Sequence, residues 1–455
     1  MHRHCIIFLA ALTALAACGQ NSTLGPSPAS GARPPRAMRP LSGTSSKIQH
    51  VVIIFQENRS INDLFNGLPG AGTVRVGKNS LGRSVTLLPR LLTAPYDISH
   101  QHSAFVTEYD GGKLDGFNLV YSVCLKQQKA CPPADIRAYA YVPEKDVEPY
   151  FIMARRYAFA RNMFQTNQGP SFPAHQYILS GTSTISNSSS LRAAENPLTT
   201  KKKLTGGCDS PKGSLVWLID PKGREKRQIY PCFDRNSLIA PIEAQSLTWR
   251  YYQAHLGPGL WEGPDAILPV YNSSEFSTDV VAPPSQVLTD IANGNLANVA
   301  WVTPTAAASD HPGITDGSGP SWVASVVNAI GKSQYWNDTA IFVTWDDWGG
   351  WYDPAPPHQY NSYELGFRVP LVVISPYAKP HYISTKQHEF GSILKFTENA
   401  FNLGSLGTTD VRSDDLSDCF DFSKPPRKFV PIPAPRGSDY FLRQPASAQN
   451  PDDDF

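Results

Sequence analysis

Short apolar runs alternate with helical stretches along the chain. The four clearest runs each end in polar residues: "HVVIIF" (50–55), "NVAWVTP" (298–304), "TAIFVTWDD" (339–347) and "FRVPLVVISP" (367–376). Such runs are typical of parallel strands that are buried on both faces, and "WVASVVNAIGKS" (322–333) has helical periodicity between two of them. The pattern predicts an α/β fold with a doubly wound, mainly parallel sheet sandwiched by helices.

The segment 183–285 has a weaker pattern and many loop-forming residues. We therefore expect an insertion or cap there, within one main domain at 48–425 that is followed by a C-terminal tail at 426–455. A length of 455 residues is consistent with roughly two to three domain-sized units or with one large α/β domain that carries insertions.

The N-terminus is predicted to be an address and not part of the fold. Residues 1–17 have a basic head and an apolar stretch of signal-peptide length. The "LAAC" that ends at Cys18 resembles a bacterial lipoprotein box, in which Cys18 carries the lipid, palmitate included; an ordinary signal peptide is the alternative. Residues 18–47 are rich in Pro, Gly and Ser and are predicted to be a disordered tether. The expected location is the bacterial cell envelope, and Gly19 fits an outer-membrane anchor facing the periplasm or the surface.

Charge and cysteine content add two expectations. Lys and Arg total 40 and Asp and Glu total 39, so no overall field favours nucleic acid as a partner. The pattern leaves the oligomeric state open. In an oxidising compartment Cys124 is close enough in sequence to pair with Cys131, and Cys208 with Cys232, which leaves Cys419 over. The alternative is that all five cysteines are free and buried.

Polar side chains follow two of the predicted strands directly. In "IIFQENRSINDLF" (53–65) the apolar run passes into Glu57 and Asn58, and "VTWDDWGGWYDP" (343–354) places Asp346 and Asp347 at the end of a strand. The carboxyl ends of parallel strands face a crevice, where oxygen ligands suit a hard cation. The alternatives are an ordinary helix start at the first site and a solvated turn at the second.

A serine and two histidines also stand on turns. In "TNQGPSFPAHQYILSGTS" (166–183) Ser171 follows a Gly-Pro turn and precedes a helix-like run from Ala174 to Leu179. A hydroxyl at a helix N-terminus lies where the helix dipole attracts an anion, although many such serines are only caps. His100 and His311 lie in loop-like stretches, where a histidine contacts phosphate, protonates a leaving group, binds metal or is simply exposed.

Taken together these stretches resemble a known family. "VVIIFQENRSINDLF", "NQGPSFPAHQYILSGT", "SDHPG", "TWDDWGGWYDP" and "LGFRVPLVVISPYAKP" look like the bacterial phosphoesterase family of phosphatidylcholine-type phospholipases C and acid phosphatases, in that family's order. The resemblance covers about residues 47–425 and implies an α/β fold similar to that of alkaline phosphatase.

The resemblance also implies roles for individual residues. It implies one divalent metal ion of unknown identity, held by Glu57, Asn58, Asp346, Asp347 and Ser171. Ser171 matches the family's nucleophile, and His100 and His311 match its phosphate contacts. Asn58 and Asp310, the residue before His311, are also expected to bind the substrate. The expected activity is metal-dependent hydrolysis of phosphate esters through a phosphoserine intermediate, as in an acid phosphatase or a broad phosphoesterase.

Departures from the family keep other functions open. Trp348 and Phe390 stand where many members have His, and His175 stands where Arg is common. A phospholipase C acting on phosphatidylcholine-like lipids is one alternative, for which the aromatic residues of "TWDDWGGWYDP" are candidates for a choline site, unless they pack in the core. A non-catalytic surface lipoprotein that binds phosphorylated ligands is the second.

Overall fold

The computed structural model describes residues 47–125, 130–198 and 204–447. The predicted signal peptide, Cys18 and all but the last residue of the predicted tether lie outside the described residues. The strands, in chain order, are β1 (His50–Gln56), β2 (Val76–Lys78), β3 (Ser84–Thr86), β4 (Leu88–Pro89), β5 (Tyr96–Ile98), β6 (Ser122–Cys124), β7 (Ala140–Tyr141), β8 (Ala158–Ala160), β9 (Arg192–Ala193), β10 (Val216–Ile219), β11 (Glu225–Ile229), β12 (Trp249–Tyr252), β13 (Val280–Val281), β14 (Val299–Val302), β15 (Thr339–Trp345), β16 (Leu371–Ile374) and β17 (Tyr382–Ser384).

The helices lie between these strands and after the last of them. They are α1 (Ile61–Leu64), α2 (His102–Tyr109), α3 (Glu148–Arg156), α4 (Ser171–Ser180), α5 (Ile239–Ala244), α6 (Leu268–Tyr271), α7 (Phe276–Asp279), α8 (Gln286–Ala292), α9 (Gly319–Gly331), α10 (Phe390–Phe401) and α11 (Ser438–Leu442). Within the described ranges, no helix combines the length and the apolar character needed to cross a membrane.

Eight of the strands form one central sheet in the order β13-β12-β14-β1-β15-β16-β8-β17. Every residue of β1 and of β15 is buried, as expected for neighbouring strands at the centre of a sheet that is covered on both faces. This architecture confirms the predicted α/β class with a mainly parallel sheet.

One predicted strand direction was wrong. β16, from the run at 367–376, pairs antiparallel with both β15 and β8, whereas the remaining ladders of the central sheet are parallel. The described chain between β15 and β16 has no crossover helix that could return it to the starting edge, so it re-enters the sheet in the opposite direction. A buried apolar run does not itself encode strand direction.

The predicted domain limits need two corrections. β12 and β13 lie within the predicted insertion at 183–285 but pair in the central sheet, so only the part before β12, with the small β9-β10-β11 sheet, lies apart from it. The predicted tail is packed on the domain as far as it is described. Phe441 is buried with its ring 5.3 Å from that of Trp322.

The five cysteines within the described ranges form two disulfide bonds and one free thiol. Cys124 is joined to Cys131 and Cys208 to Cys232, and Cys419 is a buried free thiol. The second bond closes a loop within the segment around β10 and β11, where the hydrophobic pattern is weak.

Candidate active site

The site begins where β1 and β15 end side by side. Gln56 pairs with Trp345 as the last residues of the two parallel strands, so the next residues, Glu57 and Asp346, leave the sheet at the same point. The backbone N–H of Asn58 donates to Asp346 Oδ1 at 2.9 Å. Asn58 has a φ of 58°, a left-handed conformation that asparagine tolerates better than most residues. The register of the sheet thus brings together the two strand ends that the sequence singled out.

A close backbone approach holds this turn in place. Gly349, with a φ of +62°, lies so near Asn58 that a Cβ on it would be 2.3 Å from the Asn58 carbonyl oxygen. Only glycine fits without displacing Asn58. Ser60 meanwhile accepts from the N–H of Asp63 at 3.1 Å and caps α1. The stretch after β1 therefore both starts a helix and supplies site residues. The helix start and the strand-end site, given as alternatives from the sequence, are compatible.

Helix α4 brings Ser171 to this edge. Pro170 precedes the helix in an extended conformation and Pro173 lies in its first turn, where proline is tolerated, so the helix starts at Ser171 and not at Ala174. The Ser171 hydroxyl donates to Asp347 Oδ2 at 3.3 Å, and Asp347 Oδ1 accepts from the N–H of Gly349 at 2.7 Å. The hydroxyl and the second aspartate therefore contact each other directly.

One turn further along α4, His175 faces the other two carboxylates. Its Nε2 lies 3.4 Å from Glu57 Oε1 and 4.0 Å from Asp346 Oδ2, and all three side chains are fully buried. Burial lowers the pKa of His175 to about 4, although the charge of Asp346 opposes the shift, so the imidazole is neutral at physiological pH. Two carboxylates beside a neutral ring in a buried space leave negative charge to be balanced.

These three side chains fit a cation. One ligand atom from each of Glu57, His175 and Asp346 lies within 4.8 Å of the others. Among the described residues, His175 Nε2, Asp346 Oδ2 and Asn58 Oδ1 have no hydrogen-bond partner. Oxygen and imidazole nitrogen are metal ligands, so the donor set suits a divalent cation. Of the predicted metal set, Glu57 and Asp346 lie in this group with Asn58 beside Asp346, whereas Asp347 and Ser171 contact each other.

His100 also lies close to Asp347. Its Nδ1 donates to the carbonyl of Ile98 at 2.9 Å, so its Nε2 accepts from the side-chain amide of Asn58 at 3.0 Å. His100 Nε2 also lies 3.9 Å from Asp347 Oδ2. The ring is therefore fixed near the same Asp347 oxygen that accepts from the Ser171 hydroxyl.

His311 approaches the same place from the loop after β14. Its Nδ1 donates to the carbonyl of Pro312 at 2.8 Å, and its ring lies 6.2 Å from the His100 ring, centre to centre. Its neighbour Asp310 does not share this orientation. Asp310 Oδ2 accepts from the Tyr150 hydroxyl at 2.9 Å and from the Trp345 indole at 3.0 Å. Asp310 is therefore hydrogen-bonded within the core through Oδ2, and its role in substrate binding stays a prediction.

Burial also changes the protonation of Asp310. The loss of water raises its pKa to about 7, against the opposing charge of Arg59 and the two hydrogen bonds. Arg59 Nε donates to the Asp310 carbonyl at 2.9 Å, which connects this loop to the turn after β1. Asp310 supports His311 through the backbone.

Two of the three residues that depart from the family pattern, Trp348 and Phe390, pack in the core. The Trp348 indole donates to Glu108 Oε2 at 2.7 Å, and Phe390 packs 6.2 Å from Phe55, centre to centre. The aromatic residues considered for a choline site are also buried, at most 6% exposed: Trp345, Trp348, Trp351 and Tyr352. Their interpretation as core packing is the one that the structure favours.

His175 is the site residue that sequence reasoning missed. The signal was present, because His175 follows Ser171 by four residues and residues four apart share one face of a helix.

A polar cavity of about 390 Å³ lies at the other end of α4, lined by Ser180, Arg192 and Arg412 among others. It contains none of the site residues, and its arginines are paired with Glu364.

Comparison with known proteins identifies the family of this chain and several relatives. A family model described as the Phosphoesterase family matches residues 48–404. The non-hemolytic phospholipase C of Burkholderia pseudomallei is 23% identical over 87% of this chain and 62% of its own length. The hemolytic phospholipase C of Pseudomonas aeruginosa is 23% identical over 84% of this chain and 57% of its own length. For phospholipase C A of Mycobacterium tuberculosis the identity is 23%, over 86% and 81%. The chain thus spans about three fifths of the length of the Burkholderia and Pseudomonas relatives.

Solved structures match at lower similarity. A protein in the alkaline phosphatase superfamily from Vibrio parahaemolyticus has a TM-score of 0.36 at 10% identity, covering 82% of this chain and 70% of its own. Ps i-CgsB has a TM-score of 0.42 at 10% identity, covering 83% and 77%. The family model spans most of the chain and contains every residue of the site described above, from Glu57 to Asp347. The chain therefore belongs to the Phosphoesterase family.

Proposed function

We propose that this protein hydrolyses phosphate esters with Ser171 as the nucleophile, in a reaction that requires a divalent cation. The observation that carries the proposal is the hydrogen bond from the Ser171 hydroxyl to Asp347, formed at the strand edge where Glu57, His175 and Asp346 meet. Membership of the family and the phospholipase C relatives support the reaction class.

The residues divide the chemistry as follows. Asp347 accepts the proton of Ser171, the oxygen forms a bond to phosphorus, and the bond from phosphorus to the ester oxygen breaks. The N-terminus of α4 and the side chain of His311 face the charge on the phosphate oxygens, while His100 holds the side-chain amide of Asn58 through its Nε2. His311, with Nδ1 engaged by Pro312, supplies a proton to the departing alcohol from Nε2 when it is protonated. Attack of water on the phosphoserine then releases phosphate and restores the hydroxyl.

The cation would be held by Glu57, His175 and Asp346, with Asn58 and Asp347 beside them. When bound, a divalent cation offsets the charge of the phosphate and lowers the pKa of an adjacent hydroxyl. Every one of these side chains is buried, so charges act there at short range and in a low effective dielectric.

Phosphatase or broad phosphoesterase activity is the primary proposal for the substrate. The second candidate is a phospholipase C, which the names of the relatives favour. The buried aromatic cluster provides no choline site, so it does not strengthen that candidate. Initial rates with a water-soluble phosphomonoester and with phosphatidylcholine vesicles, measured on the same preparation, separate the two.

The decisive experiment is trapping of a phosphoenzyme. We expect acid quenching during turnover of a labelled phosphate ester to leave label on Ser171, and Ser171→Ala to lose both label and turnover while still binding metal. Ser325→Ala removes another buried hydroxyl, on α9, and serves as the matched control with normal labelling. Full turnover in Ser171→Ala would refute the proposed nucleophile. Bound metal with no turnover of any ester in the wild type would instead support the ligand-binding lipoprotein.

The envelope location is also part of the proposal. We infer lipid attachment at Cys18 from the "LAAC" motif. Metabolic labelling with palmitate should mark the wild type and not Cys18→Ala, and the variant should leave the membrane fraction. Equal labelling of both proteins would contradict the assignment.

A further inference from the structure

We infer that His175 supplies a nitrogen ligand, so that the cation site prefers a first-row transition ion such as Zn²⁺ to Mg²⁺ or Ca²⁺. This inference deepens the proposed function and rests on its cation. It depends on which nitrogen of His175 carries the proton, and the surrounding hydrogen bonds determine that.

Tyr251 fixes the protonation of the ring. The Tyr251 hydroxyl donates its one proton to the carbonyl of Trp261 at 2.6 Å. The same oxygen lies 3.2 Å from His175 Nδ1, and with its proton already engaged it accepts a hydrogen bond there. The proton of the neutral ring is therefore on Nδ1. An Nδ1–H held by a neighbouring oxygen is the usual arrangement for a histidine that binds metal through Nε2.

The lone pair on Nε2 consequently points at carboxylates. Nε2 lies 3.4 Å from Glu57 Oε1 and 4.0 Å from Asp346 Oδ2, and it has no hydrogen-bond partner among the described residues. A lone pair and carboxylate oxygens repel one another in a buried space, and a cation between them removes that repulsion. The competing arrangement, with a proton on Nε2 donated to Glu57, leaves Nδ1 and the Tyr251 oxygen without a proton between them.

The chemical type of the ligand atoms then limits which metal ions the site should prefer. Carboxylate and amide oxygens alone suit Mg²⁺, Ca²⁺ or Mn²⁺, whereas an imidazole nitrogen favours Zn²⁺, Fe²⁺ and their neighbours. His175 stands on the same helical face as the proposed nucleophile, so the substitution that departs from the family pattern changes the ligand chemistry at the reaction centre.

A second group in the chain must be controlled for. His388, Asp418 and Cys419 also offer ligand atoms within 4.8 Å of one another. There, however, His388 Nε2 already lies 2.7 Å from Ser384 Oγ, which donates to Asp418 at 2.6 Å. His388→Gln is therefore the matched control, because it removes a buried histidine from the other group of potential ligands.

The experiment uses the full chain, freed of metal by a chelator. Calorimetric titration should give tighter binding of Zn²⁺ than of Mg²⁺. His175→Gln should weaken Zn²⁺ binding by about 100-fold or more and Mg²⁺ binding by less than about 10-fold. Tyr251→Phe, which removes the group orienting the ring, should cost about 10-fold in Zn²⁺ affinity. Circular dichroism of the metal-free variants verifies that each is folded.

Pulsed electron paramagnetic resonance gives a direct readout. In the Mn²⁺-loaded wild type and in His388→Gln we expect echo modulation from a directly bound ¹⁴N, and none in His175→Gln. Absence of nitrogen modulation in the wild type, its persistence in His175→Gln, or its loss in His388→Gln would overturn the inference. Nitrogen-coordinated metal without ester hydrolysis would leave the inference standing and refute the proposed function, while hydrolysis with an oxygen-only ion would do the reverse.

Discussion

Replacing Gly349 by alanine adds a single methyl group and tests whether the close approach of Gly349 to Asn58 positions the site. An Ala there adds a Cβ 2.3 Å from the Asn58 carbonyl oxygen, whereas ordinary contact begins near 3.4 Å. Asn58 or the Gly349 turn must therefore move by about 1 Å. Because the Asn58 N–H donates to Asp346 at 2.9 Å, that movement displaces the two strand ends relative to each other.

The matched control is Gly111→Ala. Gly111 has a φ of +61°, almost the same as the +62° of Gly349, but a Cβ there would meet nothing within 4 Å. Both variants incur the strain of a left-handed alanine, about 1 to 2 kcal/mol, partly offset by the lower entropy of the unfolded chain. Only Gly349→Ala adds the overpacking, about 1 to 3 kcal/mol, because only there does the methyl meet backbone.

The assays are the free energy of unfolding from denaturant titration and kcat/KM on a phosphomonoester. We expect Gly349→Ala to be less stable than Gly111→Ala by about 1 to 3 kcal/mol and to lose about 10²-fold in kcat/KM, since a misplacement of 1 Å at a reaction centre costs that much. Gly111→Ala should retain wild-type kcat/KM. If the two variants are equally stable and equally active, the close approach to Asn58 does not position the site.

Three further changes test other parts of the structure. Asp347→Asn, which removes the acceptor for the Ser171 proton at 3.3 Å, should lower kcat by about 10²-fold or more in steady-state assays, and an unchanged kcat would exclude Asp347 as proton acceptor. Burial raises the pKa of Glu262 to about 8, so the folded state retains a proton that the unfolded state releases near pH 4.5. The free energy of unfolding of the wild type should therefore fall as the pH rises from about 4.5 to about 8, whereas that of Glu262→Gln should not. Denaturant titrations across this pH range should show a difference of at most about 5 kcal/mol above pH 8. Arg59 is fully buried and donates to Asp63 and to the carbonyls of Asp310 and Leu92. Lysine cannot reach all three acceptors, so Arg59→Lys should lower the free energy of unfolding by about 2 to 4 kcal/mol. A loss of less than about 1 kcal/mol would show that these contacts are replaceable.

The parts of the fold that could be predicted are those set by local pattern. Runs such as 50–55 and 339–347 are apolar throughout, because both faces of a central strand are buried, and they change to polar residues where the sheet ends. That change marks Glu57, Asn58 and Asp346 as residues at a sheet edge. The resemblance carried by the motifs added Ser171, His100 and His311. No local sequence pattern indicates that these three residues lie near one another or near the strand ends.

Tertiary structure alone decided what those residues contact. Asn58 and Asp346 are 288 positions apart and meet only because β1 pairs with β15 in one register. The Asp310 carboxylate faces the core because Tyr150 and Trp345 donate to it, and Nε2 of His175 keeps its lone pair because Tyr251 engages Nδ1. These partners belong to strands and helices that are distant in sequence. Hydrophobic periodicity specifies which side of an element is buried, but not what lies opposite it. The direction of β16 and the proposed ligand role of His175 therefore required the assembled sheet.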